Sequence, residues 1–243
     1  MPPEPSSAIS PRPRAWLSWS SGKDSAWALH VARQSGEFDI VALLTTVNQT
    51  YARVAMHAVR EALLDLQAAA AGLPLVKIPI PSPCPNDVYE RAMAGAMSAA
   101  REQGVRHVVF GDLFLEDIRT YREKKLASCG MTPLFPLWKK DTRRLAEEMI
   151  AGGLEGYLTC VDPRKLGREF AGRKFDAALL RDLPASVDPC GENGEFHSFT
   201  CAGPMFRHLI AVQPGEVVER DGFVFADLLP ANSAAVASGA AQV

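Results

Sequence analysis

Arg14-Ala-Trp-Leu-Ser-Trp-Ser-Ser-Gly-Lys-Asp-Ser-Ala-Trp-Ala-Leu29 limits the fold more than any other stretch of the chain. The apolar run from Ala15 to Trp19 reads as a buried strand. Ser20-Ser21-Gly22 stops it, and an apolar-periodic helix then begins with Asp24 and Ser25 in its first turn. A strand that passes through a small-residue loop into a helix N-terminus is a phosphate-binding geometry. Free backbone N–H groups and the positive end of the helix dipole both face the anion. Small side chains at Ser20, Ser21 and Gly22 let the backbone come close, and Lys23 adds a compact, mobile charge.

The usual mononucleotide loop needs Gly five residues before Gly22, where this chain has Leu17, and Ser or Thr after the lysine. Asp24 follows Lys23 instead, and a carboxylate there tolerates phosphate only with Mg²⁺ between them. Asp24 is therefore the candidate metal ligand. Ser20 to Ser25 resemble the Ser-Gly-Gly-Lys-Asp-Ser signature of the pyrophosphate-loop ATPases, with Ser21 in place of the first glycine. That resemblance implies cleavage of ATP between its α- and β-phosphates. The bland alternative is a Ser-rich turn that caps an ordinary helix.

Strands and helices alternate along the rest of the chain. A helix is expected over 24–34, a strand over 40–46, a long helix over 51–71 with Val54, Ala58, Ala62 and Leu66 on its apolar stripe, and a strand over 74–80. A helix over 86–103 and a strand over 106–110 then lead into Gly111-Asp112. This pattern specifies an α/β fold with a doubly wound parallel sheet, whose ligand lies beyond the carboxyl ends of the strands. Ser20 to Ser25, Thr45, Thr46, Gly111 and Asp112 then share one rim. A helix over 116–129 puts Arg119 within reach of the nucleotide. Pro133 to Pro136 reads as a joint, followed by a helix over 141–151, a strand over 157–161 and a short helix over 175–183. Residues 162–176 carry five basic residues in a polar loop or a basic lip. The expected division is an ATP-binding domain over 14–135 and a smaller α+β substrate domain over 136–230, with flexible tails at 1–13 and 231–243.

With 243 residues, a net charge of −2 and no long apolar run, the chain shows no electrostatic footprint for nucleic acid and no membrane span. Its five cysteines form no C-x-x-C pair, which fits reduced thiols and a cytoplasmic location.

Asp188-Pro-Cys-Gly-Glu-Asn-Gly-Glu-Phe-His-Ser-Phe-Thr200 is the second informative stretch. Turns at Gly191 and Gly194 precede an alternating strand over 196–200, so Glu195 and His197 are expected on one face with Glu192 nearby. Carboxylates and an imidazole there suit metal-phosphate binding or proton transfer from an amine. A zinc site of Cys190, His197 and Cys201, or a plain exposed turn, are the competing readings.

Taken together, the Ser-Gly-Lys-Asp-Ser loop, Gly111-Asp112 and the Gly-Glu-x-Gly-Glu-Phe-His element resemble the diphthine–ammonia ligase family over Arg14 to about Pro230. His197 stands where the eukaryotic pattern carries an acid, which resembles the bacterial branch. The resemblance implies a ligase that uses ATP and Mg²⁺ to adenylate a carboxylate, which ammonia then attacks. On that reading Ser20, Ser21, Gly22, Lys23, Asp24 and Ser25 hold phosphates, and Thr45, Thr46, Gly111, Asp112 and Arg119 border the nucleotide. Lys23, Asp24, Glu192, Glu195 and His197 serve the chemistry. The carboxylate is unidentified, and a homodimer is one open assembly. Rival readings are a tRNA-modifying or sulfur-transferring enzyme and a non-catalytic ATP-binding regulator.

Overall fold

The computed structural model describes residues 11–48, 53–54 and 59–231. The tail residues 1–10 and 232–243 and Ala58 of the expected long helix lie outside the described residues. Strand β1 (Arg14–Ser18) is the centre of the first sheet. It pairs in parallel with β2 (Asp39–Asn48) on one side and β5 (His107–Val109) on the other. Outward from β2 comes β4 (Leu75–Ile80), and outward from β5 comes β6 (Thr132–Leu134), both parallel. A short β3 (Arg53–Val54) runs antiparallel to the end of β2. The chain thus builds outward from β1 in one direction and then returns to build in the other. The switch point lies between β1 and β5, where a doubly wound sheet offers its ligand crevice.

Alternation along β1 explains why it is central. Ala15 and Leu17 face one core with α1 (Lys23–Ser35) and α2 (Glu61–Ala71), while Trp16 faces another with α3 (Asn86–Glu102) and α4 (Glu116–Ser128). Both faces are buried, so the strand reads as a continuous apolar run. Helix α5 (Thr142–Ala151), capped by the Asp141 carboxylate on Arg144 N at 2.8 Å, leads to a second sheet. That sheet is antiparallel in the order β8-β7-β10-β9, from β7 (Glu155–Val161), β8 (Phe196–Ala202), β9 (Val212–Arg220) and β10 (Phe223–Pro230). A short α6 (Ala177–Asp182) packs beside it. The core of α1 and α2 runs on without a break into Leu158, Phe175, Phe196 and Phe199. The expected doubly wound α/β fold with a smaller C-terminal α+β unit is what the chain forms.

Two expectations fail, and one element is unexpected. Among the described residues of the expected helix over 51–71, Glu61–Ala71 is helix and Arg53–Val54 is strand. The buried side of α2 is Leu63, Leu64, Gln67, Ala68, Ala70 and Ala71, while Leu66 of the expected stripe is 41% exposed. An Ala-rich sequence lets several stripes look equally apolar, and the tertiary contacts chose another. The joint at Pro133 is instead the edge strand β6, where a missing N–H is tolerated. Finally, the hairpin of β9 and β10 is not among the expected elements, although Asp221-Gly222 between two β-rich runs is a strong hairpin signal. Both turn residues have positive φ, 54° and 77°.

Candidate active site

Helix α1 starts at the end of β1 with Gly22 as N-cap and no capping side chain, so its dipole end stays open toward the loop. Ser20 and Ser25 brace the loop: their hydroxyls lie 3.1 Å apart, Ser20 N donates to Ser25 Oγ at 3.3 Å, and Gly22 N donates to Ser20 Oγ at 3.3 Å. Ser25 Oγ also donates to the Gly22 carbonyl at 3.0 Å. Ser21 adopts φ 72°, the left-handed conformation for which the matching signature carries glycine.

Lys23 turns inward. Its ammonium donates to both Asp24 carboxylate oxygens, at 2.9 and 2.7 Å, and to the Cys190 carbonyl. It lies over the rings of Phe175 and Phe196 at 5.7 and 5.4 Å. Burial is the largest influence and works against the ammonium, yet Asp24, Cys190 and Glu192 together hold the pKa above the ordinary lysine value. Lys23 N donates to Ser198 Oγ at 3.2 Å, so β8 of the second sheet touches the loop directly.

Gly111 explains itself by proximity. A Cβ there would sit 2.7 Å from the Asp24 carbonyl carbon and 2.9 Å from Ser25 N, so only glycine lets β5 approach the start of α1. Asp112 is held by Arg122 at 2.7 Å.

A cavity of about 810 Å³ opens on this rim. Ser20, Thr45, Thr46, Phe110, Arg122, Glu192 and His197 line it, and its wall continues between α3 and α4 through Tyr89, Met93 and Tyr121. Its size suits a nucleotide with room beside it. Thr45 Oγ1 is buried at the cavity without a hydrogen-bond partner, as a wall waiting for a polar ligand would be.

The second motif divides. Glu192 reaches the cavity and accepts a hydrogen bond from Leu113 N at 2.8 Å. Burial pushes its carboxyl up to about 7. His197 lines the same cavity, and burial, with the Lys23 charge, pushes its pKa down to about 4. Glu195 does not line it. Its Oε1 instead accepts from Asp188 N at 3.1 Å and Asn193 Nδ2 at 3.2 Å, tying the turn together from inside. The expected pairing of Glu195 with His197 on the rim is therefore corrected to Glu192 with His197. Glu195 precedes the first strand residue, so strand alternation does not govern it.

Arg119 is likewise not brought to the cavity. It pairs with Glu123 at 2.7 Å and lies over Phe135 and Trp138, while Arg122, almost one turn on, faces the cavity over Phe110 at 4.3 Å. In the basic stretch, Arg164, Arg168, Arg173 and Lys174 are each paired with a carboxylate, which leaves little of a basic lip. Among the described residues no group of three or more His, Cys, Asp or Glu side chains is arranged to hold a metal ion, so the zinc reading has no site there. Sequence reasoning missed Gln67, a fully buried side chain whose amide touches the loop. A glutamine on the inner face of an amphipathic helix is the signal that marks it.

A strand, a left-handed turn and an open helix N-terminus at the switch point of a parallel sheet define a doubly wound α/β protein with an anion-binding geometry at its crevice. A family model described as the diphthamide synthase N-terminal domain matches residues 14–133, and one described as the C-terminal domain matches residues 141–226. The chain belongs to the diphthamide synthase family. A diphthine–ammonia ligase from Danio rerio is 29% identical over 237 residues, covering 85% of this chain and 89% of that one. One from Bos taurus is 27% identical over 236 residues, covering 85% of each. The protein of that name from Schizosaccharomyces pombe is 31% identical over 105 residues, which is 42% of this chain and 17% of that one.

Proposed function

We propose that this chain is an ATP-dependent amide-forming ligase, as the name of its relatives indicates for them. It joins AMP to a carboxylate, releases pyrophosphate, and lets ammonia displace the AMP. The observation that carries this reading is that Ser20, at the start of the phosphate loop, and Glu192 line one cavity, with the carboxyl held at about 7.

In the first half-reaction a carboxylate oxygen of the acceptor attacks the α-phosphorus, and the bond to the β-phosphate oxygen breaks. The open end of α1 and the hydroxyls of Ser20 and Ser25 favour the negative charge on the outer phosphates. Lys23 leaves the Cys190 carbonyl to neutralise departing pyrophosphate. Asp24, whose side chain is 27% exposed beside Lys23, fits the one carboxylate that Mg²⁺ needs when phosphates supply other ligands. Mg²⁺ there would screen phosphate charge. In the second half-reaction ammonia attacks the acyl carbon, the bond to AMP breaks, and Glu192 accepts the surplus proton. A group that titrates near neutral pH is suited to that task, whereas His197 stays neutral and positions. Thr45 and Thr46 line the nucleotide side of the cavity, while Gly111 packs against the Asp24–Ser25 backbone.

Cys160, Cys190 and Cys201 are buried and their thiols are pushed well above the ordinary value, which argues against sulfur transfer at the second motif. No described helix is long and apolar enough to cross a membrane, and all five cysteines are free. Both fit a reaction in the cytoplasm. Incubation with α-labelled ATP, ammonia and a panel of carboxylates should yield AMP. Turnover that yields ADP would overturn the adenylation mechanism.

A further inference from the structure

Ser21 presents a physical problem that the loop alone does not solve. A left-handed L-residue costs roughly 1–2 kcal/mol, and Ser21 holds φ 72° where glycine would pay nothing. Two donors close on its carbonyl: Thr200 N at 3.0 Å and Gln67 Nε2 at 3.0 Å. The same amide nitrogen donates to the Thr200 carbonyl at 2.7 Å, and the amide oxygen accepts from Trp19 Nε1 at 2.9 Å. The Trp19 indole can only donate and the two carbonyls can only accept, so the Gln67 amide has a single satisfied orientation. Gln67 is fully buried on α2. It thus ties the strand that enters the loop, the loop itself and β8 of the second sheet.

We propose that Gln67 is a positioning residue for the phosphate loop. Its amide holds the Ser21 carbonyl inward, which keeps that oxygen out of the anion's place and leaves the Gly22 N–H on the outer side, where it donates to Ser20 Oγ at 3.3 Å until an anion takes it. If the peptide between Ser21 and Gly22 turned over, a carbonyl oxygen would meet the phosphate and the N–H would be lost to it. This role rests on the ATP reading of the loop.

Gln67→Glu tests it, because the ionised carboxylate keeps the acceptor for Trp19 and loses both donations. ATP affinity of the folded variant at pH 9.5, above the range to which burial raises such a carboxyl, should fall by ~10-fold or more, in keeping with a buried carbonyl left against a charge. On lowering the pH to 6 the carboxyl regains a proton and one donation, and the ratio of variant to wild-type affinity should recover by at least half. The ratio removes the titration of Glu192, which both proteins share. Wild-type affinity at pH 9.5, or an equal loss at every pH, would overturn the role. If Gln67→Glu does not fold, Gln67→Met decides the matter. It keeps the length and volume of the side chain and removes both donations to the Ser21 and Thr200 carbonyls, so ATP should bind several-fold more weakly, and unchanged binding would overturn the role. Failure of the wild-type protein to bind ATP at all would overturn the ATP reading and this role with it.

Discussion

Glu192 is the residue to which the proposed mechanism gives the proton transfer, and its burial gives two measurable signatures. The carboxyl has an ordinary value of 4.5 and sits at about 7 in the fold, because burial outweighs the hydrogen bond from Leu113 N. A group whose folded pKa is raised contributes stability that is complete below its unfolded value and is lost as pH rises through the folded one. The relevant window is therefore pH 4.5 to 7. Glu192→Gln removes this loss, so the Tm of the variant should gain on that of the wild type between about pH 5 and pH 8. The same substitution removes the proton acceptor. Amide formation should fall by ~100-fold or more, and the rise of wild-type turnover through about pH 7 should vanish. A variant with a wild-type pH profile would remove Glu192 from the reaction. The sequence makes the Gly-rich turn and its acidic residues plain, but it does not say which carboxylate turns outward. That choice depends on Leu113 N for Glu192 and on Asp188 N and Asn193 for Glu195, contacts made across the folded turn.

Among the elements, β1 and the start of α1 were the most legible, because one buried run, one small-residue turn and one helix start follow in order. Helix α2 was the least legible, since Ala-rich surfaces carry almost no face information and its true inner side includes the polar Gln67. Arg119 and Arg122 show the same limit on α4. Both are cations on one helix, and only packing against Phe135 and Trp138 or against Phe110 separates them. The approach of β5 to α1 yields a direct test at Gly111. The methyl group of Gly111→Ala would sit 2.7 Å from the Asp24 backbone, which is not a flexible neighbour, so α1 must shift. Such overpacking costs typically ~1–3 kcal/mol. Thermal melts should show that loss, and titration calorimetry should show weaker ATP binding. Full ATP affinity in a destabilised Gly111→Ala protein would mean that the close approach serves stability alone.

Over the whole molecule, the two sheets meet at the loop rather than beside it. Thr200 N donates to the Ser21 carbonyl, Lys23 N donates to Ser198 Oγ, and the Lys23 ammonium donates to the Cys190 carbonyl. Gln67 bonds both units at once, and the larger core passes between them unbroken. Farther out, Arg60 before α2 pairs with Asp227 of β10 at 2.5 Å. An anion at the loop therefore acts on groups whose other partners belong to the second sheet. If Lys23 swings to pyrophosphate, the Cys190 carbonyl loses a donor, while the backbone bonds of β8 to the loop tighten around a fixed Ser21. Hydrogen exchange followed by mass spectrometry should read both effects. On addition of ATP, amides over 20–26 and 198–202 should slow together, and those over 188–194 should exchange faster or stay unchanged. Slowing confined to the first sheet would show that β8 is only a neighbour of the loop. Slowing over 188–194 as well would show that Lys23 keeps its bond to Cys190 and that another group meets the outer phosphates.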